Sequence, residues 1–124
     1  MAVDVKGELF APVIKNINTK TLKQIKEELE IIKEKAKSGR FSSEDLKGAT
    51  FSISNLGMYD VIQFDAIIPP NHVGIVAVGK EVDNKVKLTF SFDHRIINGK
   101  ETALFIKRFR EKLMDENYLK SLSS

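Results

Sequence analysis

The chain has 124 residues, no cysteine and a formal net charge of +3. Those figures predict one domain, exclude a disulfide framework and zinc–thiolate chemistry, and leave a modest electrostatic preference for anionic ligands. Lysines interleave with glutamates, as in Lys33-Glu34-Lys35, and no basic stretch carries interleaved aromatics. Neither nucleic acid nor a membrane is therefore expected as a partner. No apolar run approaches the roughly 20 residues of a membrane span, and the first residues lack the pattern of a secretory signal. An intracellular, cytoplasmic location is the expectation.

In chain order, Val3-Asp4-Val5 and Leu9–Ile14 read as two short extended pieces separated by a turn at Gly7. Pro12 confines the second to a sheet edge or makes it irregular. Leu22, Ile25, Leu29, Ile32 and Ala36 recur at steps of three and four, which predicts a helix over 19–38. Asn18 or Thr19 is its expected N-cap and Gly39 its stop. Ser42–Leu46 predicts a capped helical turn closed by Gly48. Thr50–Ser54 alternates and is rich in strand formers. Residues 58–72 read as irregular, with Pro69-Pro70 holding an extended loop. Val73–Gly79 is a continuous apolar run that suits a buried strand. Asp83-Asn84 marks a turn, and Val86–Phe92 alternates as its hairpin partner. A last helix is expected from Gly99 to about Asn117. Its apolar residues Ala103, Leu104, Phe105, Ile106, Phe109 and Leu113 spread wider than one stripe, which predicts burial on more than one side. The order of elements is that of an α+β protein, a mixed α/β sandwich with helices packed on a mixed sheet.

Two histidines bear on chemistry. His72 follows Pro70-Asn71 in the irregular stretch, where a structural or solvent-exposed role is expected. His94 follows an apolar strand directly and lies between Asp93 and Arg95, with Asn98-Gly99 just beyond. A strand end feeding a loop is where a rigid scaffold presents reactive groups. On spacing alone His94 is either a turn histidine beside an ion pair or a catalytic base.

Asp93-His94-Arg95-Ile96-Ile97-Asn98-Gly99 resembles the signature of the dihydrolipoamide acyltransferases, the E2 components of 2-oxo acid dehydrogenase complexes: Asp-His-Arg, three residues, then Gly. Gly48–Gly57, with its Ser54-Asn55-Leu56-Gly57 turn, is similar to a further segment of that family. So are Phe64–Pro70 and Leu9–Asn16, all in the family's order. The resemblance implies a partial chloramphenicol acetyltransferase-like fold. It implies that residues 1–124 form a single domain, the C-terminal half of a catalytic domain. Asn98 stands where many members carry Asp.

The implied reaction moves an acyl group between the thiols of dihydrolipoamide and coenzyme A, both substrates and neither a resident cofactor. It needs no metal. A free thiol has a pKa of ~8.5 and histidine ~6.5, so a neutral imidazole can take the thiol proton near pH 7. The resemblance makes His94 that general base, Ser54 the hydroxyl that steadies the oxyanion, and Asn98 the residue that orders the His94 loop. Asp93 and Arg95 are expected to hold the loop. In the family the serine and histidine of one site come from adjacent subunits of a trimer, so a homotrimer is expected. Further expected partners are E1 or E3 components, or a separately encoded N-terminal half. The alternative is a non-catalytic, truncated homologue that serves as an oligomeric assembly or scaffold protein.

Overall fold

The computed structural model describes residues 3–5 and 8–122. Strands β1 (Val3–Val5) and β2 (Glu8–Phe10) form an antiparallel pair, with Val3 opposite Phe10 and Val5 opposite Glu8. The turn expected at Gly7 lies outside the described residues. β2 stops at Phe10, short of the expected Ile14, because Pro12 has no N–H for a ladder. The segment beyond it is held by Val13, whose N–H donates to the Asp45 carbonyl.

Helix α1 (Leu22–Ser38) begins three residues later than the periodicity suggests. Its cap is Thr21, not Asn18 or Thr19. The Thr21 hydroxyl accepts from the Gln24 N–H and the Gln24 side chain accepts from the Thr21 N–H, a reciprocal capping box. Thr19 closes a preceding 3₁₀ turn instead, donating to the Asn16 carbonyl. Gly39 ends α1 as expected, at a left-handed φ of 69°. Ile32 is the buried anchor of the apolar stripe. Lys35 reaches Asp45 at 2.8 Å and ties α1 to the 3₁₀ turn Glu44–Leu46.

The main sheet has three strands in the order β3-β4-β5, where β3 is Phe51–Asn55, β4 Gly74–Val78 and β5 Leu88–Phe92. β3 and β4 run parallel and β5 returns antiparallel. The β4–β5 connection narrows to Asp83-Asn84, both at left-handed φ (53° and 62°), flanked by the Val82–Lys85 bridge. Two successive left-handed residues are the mark of the hairpin turn whose twist matches a sheet.

Register sorts the side chains into two faces. Phe51 and Ile53 share one face with Gly74, Val76, Phe90 and Phe92. Ser52 and Ser54 share the other with Ile75, Ala77, Thr89 and Ser91. The core lies on the central strand, where Ile75, Val76 and Ala77 are all buried. Helix α2 (Gly99–Leu113) covers the first face. Phe105 lies 5.9 Å from Phe90 and 5.6 Å from Phe92 between ring centres, and Phe109 lies 5.3 Å from Phe90. Edge-to-face geometry of this kind adds to the burial of the rings.

The last expected helix divides in two. After Met114 the chain restarts as α3 (Glu116–Leu122), with the Asp115 carboxylate accepting from the Tyr118 N–H. Asp115 competes for backbone N–H groups as an N-cap does, and so breaks the run. The wide apolar face of α2 is not buried on more than one side. Leu104, Phe105 and Leu113 are 51%, 42% and 46% exposed. A three-stranded sheet covers one side of the helix, and among the described residues α3 reaches only its C-terminal end, around Phe109 and Leu113.

Candidate active site

β5 ends at Phe92, and the chain turns at once. The Asp93 N–H donates to the Val73 carbonyl beside the start of β4, and the Asp93 carbonyl accepts from the Ile96 and Ile97 N–H groups. The Asp93 carboxylate binds Arg95 three ways, accepting from its backbone N–H at 3.0 Å, from Nε at 3.0 Å and from a terminal guanidinium nitrogen at 2.8 Å. Such two-pronged pairs carry geometric specificity as well as charge. The Arg95 side-chain bonds, then its backbone bond, hold the Asp93 carboxyl well below the usual carboxylate range, at about 2. Asp93 and Arg95 thus brace the turn, and His94, at its second position, is exposed to solvent.

Asn98 ends the same loop as the N-cap of α2. Its Oδ1 accepts from the Glu101 N–H at 2.9 Å, and Glu101 reaches back to the Asn98 N–H at 3.3 Å. The Thr102 hydroxyl adds a bond to the Asn98 carbonyl. His94 is therefore presented on a loop anchored at one end by the sheet and at the other by a capped helix.

Ser54 lies on β3 opposite Ala77. It lines an open cavity of about 410 Å³ together with Ser52, Phe64, Asp65, Ile67 and Ile75. His94 does not line that cavity. Along the sheet, Ser54 is level with Ala77 and Thr89, whereas His94 lies beyond Phe92, which is level with Gly74 and Phe51. Three residues of strand alone separate those levels by about 10 Å. The two sequence-predicted residues thus stand at opposite ends of the sheet, and one copy of the chain does not bring them together. His94 and Asn98, by contrast, share one loop.

One pairing was absent from the sequence reading. The Ser52 hydroxyl and His72 Nδ1 are hydrogen-bonded at 2.5 Å, and both residues are half-buried. His72 is therefore neither solvent-exposed nor isolated. Two signals pointed there: Ser52 is two residues from Ser54, hence on the same strand face, and His72 stands just before a buried strand. Their meeting depends on the parallel pairing of β3 with β4, which local pattern does not encode. Among the described residues no group of three or more His, Cys, Asp or Glu is placed to hold a metal ion.

The family model for the catalytic domain of 2-oxoacid dehydrogenases acyltransferase matches residues 1–120. The chain is 34% identical to the dihydrolipoyllysine-residue acetyltransferase component of the pyruvate dehydrogenase complex of Zymomonas mobilis, over 89% of this chain and 28% of that protein. Among solved structures, it is similar to a dihydrolipoamide acetyltransferase of Azotobacter vinelandii, with a TM-score of 0.81 and 32% identity, covering 99% of this chain and 54% of that one. That protein was studied for the role of a serine, a histidine and an asparagine in its catalytic mechanism. A cubic core of a pyruvate dehydrogenase multienzyme complex is similar at a TM-score of 0.82 and 33% identity, again over 99% of this chain and 54% of that one. The chain thus spans a little over a quarter of the curated relative and about half of the solved catalytic cores.

Proposed function

This chain belongs to the 2-oxoacid dehydrogenase acyltransferase (catalytic domain) family, and on that premise we propose that it transfers an acyl group between dihydrolipoamide and coenzyme A at a site shared between copies. His94 is the general base. Its imidazole takes the proton of the attacking thiol, and the sulfur adds to the acyl carbonyl. Ser54 of a neighbouring copy donates its hydroxyl to the resulting oxyanion. The departing thiolate recovers the proton from His94, and the acyl group has changed carriers. Asn98 and the Asp93–Arg95 pair keep the imidazole loop in one conformation, so the base loses little entropy in reacting.

The observation that carries this reading is the presentation of His94: exposed, on a turn locked by Asp93–Arg95 and ended by the Asn98 cap. The separation of Ser54 from His94 within one copy supports a site made from two. So does the kinship with cores of multienzyme complexes, which supports oligomeric assembly, here a trimer. The histidine and asparagine named for the Azotobacter protein stand four residues apart, as His94 and Asn98 do.

The test is thioester exchange between acetyl-coenzyme A and dihydrolipoamide by the oligomer. His94→Ala is expected to lose about 10²–10⁴-fold in kcat, the usual worth of a positioned base. Ser54→Ala is expected to lose about 10²–10³-fold. Equal rates for wild type and His94→Ala would remove His94 as the base.

A scaffold role is the second reading, favoured by the apolar side chains Leu104 and Leu113 left exposed on α2, which suit assembly with or without turnover. It predicts a defined oligomer, held with E1 or E3 components or with a separately encoded half-domain, that shows no saturable coenzyme A binding. Calorimetry separates the two readings.

A further inference from the structure

The cavity at Ser54 has a second hydroxyl, and that hydroxyl is held by an imidazole. Ser52 and Ser54 project from the same face of β3 two residues apart, about 7 Å between their Cα atoms, and both line the cavity. Most of the other lining residues, Phe64, Ile67 and Ile75 among them, are apolar, and Asp65 adds a carboxyl to the lining. Of the two serines, Ser52 is hydrogen-bonded through its side chain, to His72 Nδ1. His72 is fixed in turn by its backbone. Its N–H donates to the Pro69 carbonyl, and the next residue, Val73, donates to the Thr50 carbonyl at 2.7 Å. Neither residue is needed by the chemistry assigned to His94, Ser54 and Asn98.

A serine hydroxyl has one donor and two acceptor lone pairs, and a neutral imidazole has one donor and one acceptor nitrogen. Two arrangements therefore satisfy the pair. With the ring proton on Nε2, Ser52 spends its only hydrogen on His72 and offers the cavity lone pairs alone. With the ring proton on Nδ1, His72 donates to Ser52, and the Ser52 hydrogen is free to point into the cavity. An acyl thioester in the cavity presents a carbonyl oxygen, which needs donors and gains nothing from lone pairs. A bound acyl group thus favours the second arrangement.

Resting on the acyltransferase reading, we infer that Ser52 is a second donor to the acyl carbonyl beside Ser54, and that His72 is the positioning residue that frees its hydrogen. The purely structural alternative is that the pair only pins the 60–72 segment to β3. That alternative predicts a loss of thermal stability on removing the hydroxyl and no change in ligand affinity.

The chain has two histidines, so selective ¹⁵N-histidine labelling of the full chain gives two rings, and His94→Ala assigns them. Acetyl-coenzyme A is the probe. At saturation, the His72 nitrogen resonances are expected to move to the pattern of an Nδ1–H tautomer. Ser52→Ala is expected to weaken acetyl-coenzyme A binding about 3- to 10-fold, the worth of one neutral hydrogen bond, and Ser52→Thr to restore it to within about 2-fold. His72 resonances unmoved at saturation, or a bound state with the proton on Nε2, overturn the inference without touching His94. Because that readout uses wild-type protein, it does not depend on any variant folding. Absence of acetyl-coenzyme A binding by wild type overturns the acyltransferase reading itself, and this inference with it.

Discussion

At the scale of single residues, the loop around His94 is governed by one carboxylate. The Asp93 carboxyl sits at about 2 because the Arg95 side chain and backbone N–H bind its charged form. Its folded value lies below its ordinary value of 3.8, so its contribution to loop order is fully present above about pH 4. That contribution is lost as pH falls through the folded value. Arg95→Ala is expected to raise the Asp93 titration toward its ordinary range and to loosen the turn; carboxyl-carbon NMR reads both. A titration left unmoved in Arg95→Ala would mean that the ion pair does not form in solution. His94, Asn98 and Ser54 could be named as candidates from the sequence because they sit in contiguous motifs whose order survives without any knowledge of contacts. Ser52–His72 was not legible, because its members are 20 residues apart and meet only through the strand pairing.

At the scale of elements, capping residues decided where the helices begin and end, and periodicity decided only that they exist. Thr21 displaced the earlier candidates because its hydroxyl has Gln24 three residues on, and Asp115 split the last helix for the same physical reason. Asn98 was singled out from the sequence for the order of the His94 loop, and it caps α2 as well. Asn98→Ala is expected to cost about 1 kcal/mol of stability, the usual value of a lost cap. Asn98→Asp is expected to hold or raise stability at neutral pH, since a carboxylate accepts the same N–H and faces the positive end of the helix dipole. Thermal melts of the three proteins check both. If Asn98→Ala melts with wild type, the cap contributes nothing. At Gly79, any added methyl would overlap the Ile62 carbonyl, where the 61–62 backbone crosses the hairpin, and Lys80 donates to Val61 at 2.7 Å. A glycine in the buried run thus marks a backbone crossing, which a sequence pattern shows only as permissiveness.

At the scale of the whole molecule, the chain exposes more surface than its mass accounts for. A compact monomer of 14.0 kDa exposes about 6,700 Å², whereas this chain exposes 9652 Å². The excess, about 3,000 Å², is of the order that obligate interfaces bury. Its apolar part includes α2, with Leu104, Leu113 and Met114 and the uncovered part of Phe105, and Met58 and Ile67 after β3. The wide apolar pattern of the last helix predicts burial on more than one side, and one copy of the chain leaves part of it exposed, because a sequence does not say which molecule supplies the other surface. Three copies sharing these faces would also answer the separation of Ser54 from His94, since association that buries α2 is then the event that completes the site. Light scattering on the full chain is expected to give a trimer or a multiple of it. Leu104→Glu is expected to shift it toward smaller species and to lower exchange activity in proportion, because a charge buried without a partner opposes assembly. A stable 14.0 kDa monomer at micromolar concentration would contradict the surface argument. An oligomer whose activity ignored Leu104→Glu dissociation would place the whole site within one copy, against the register of β3, β4 and β5.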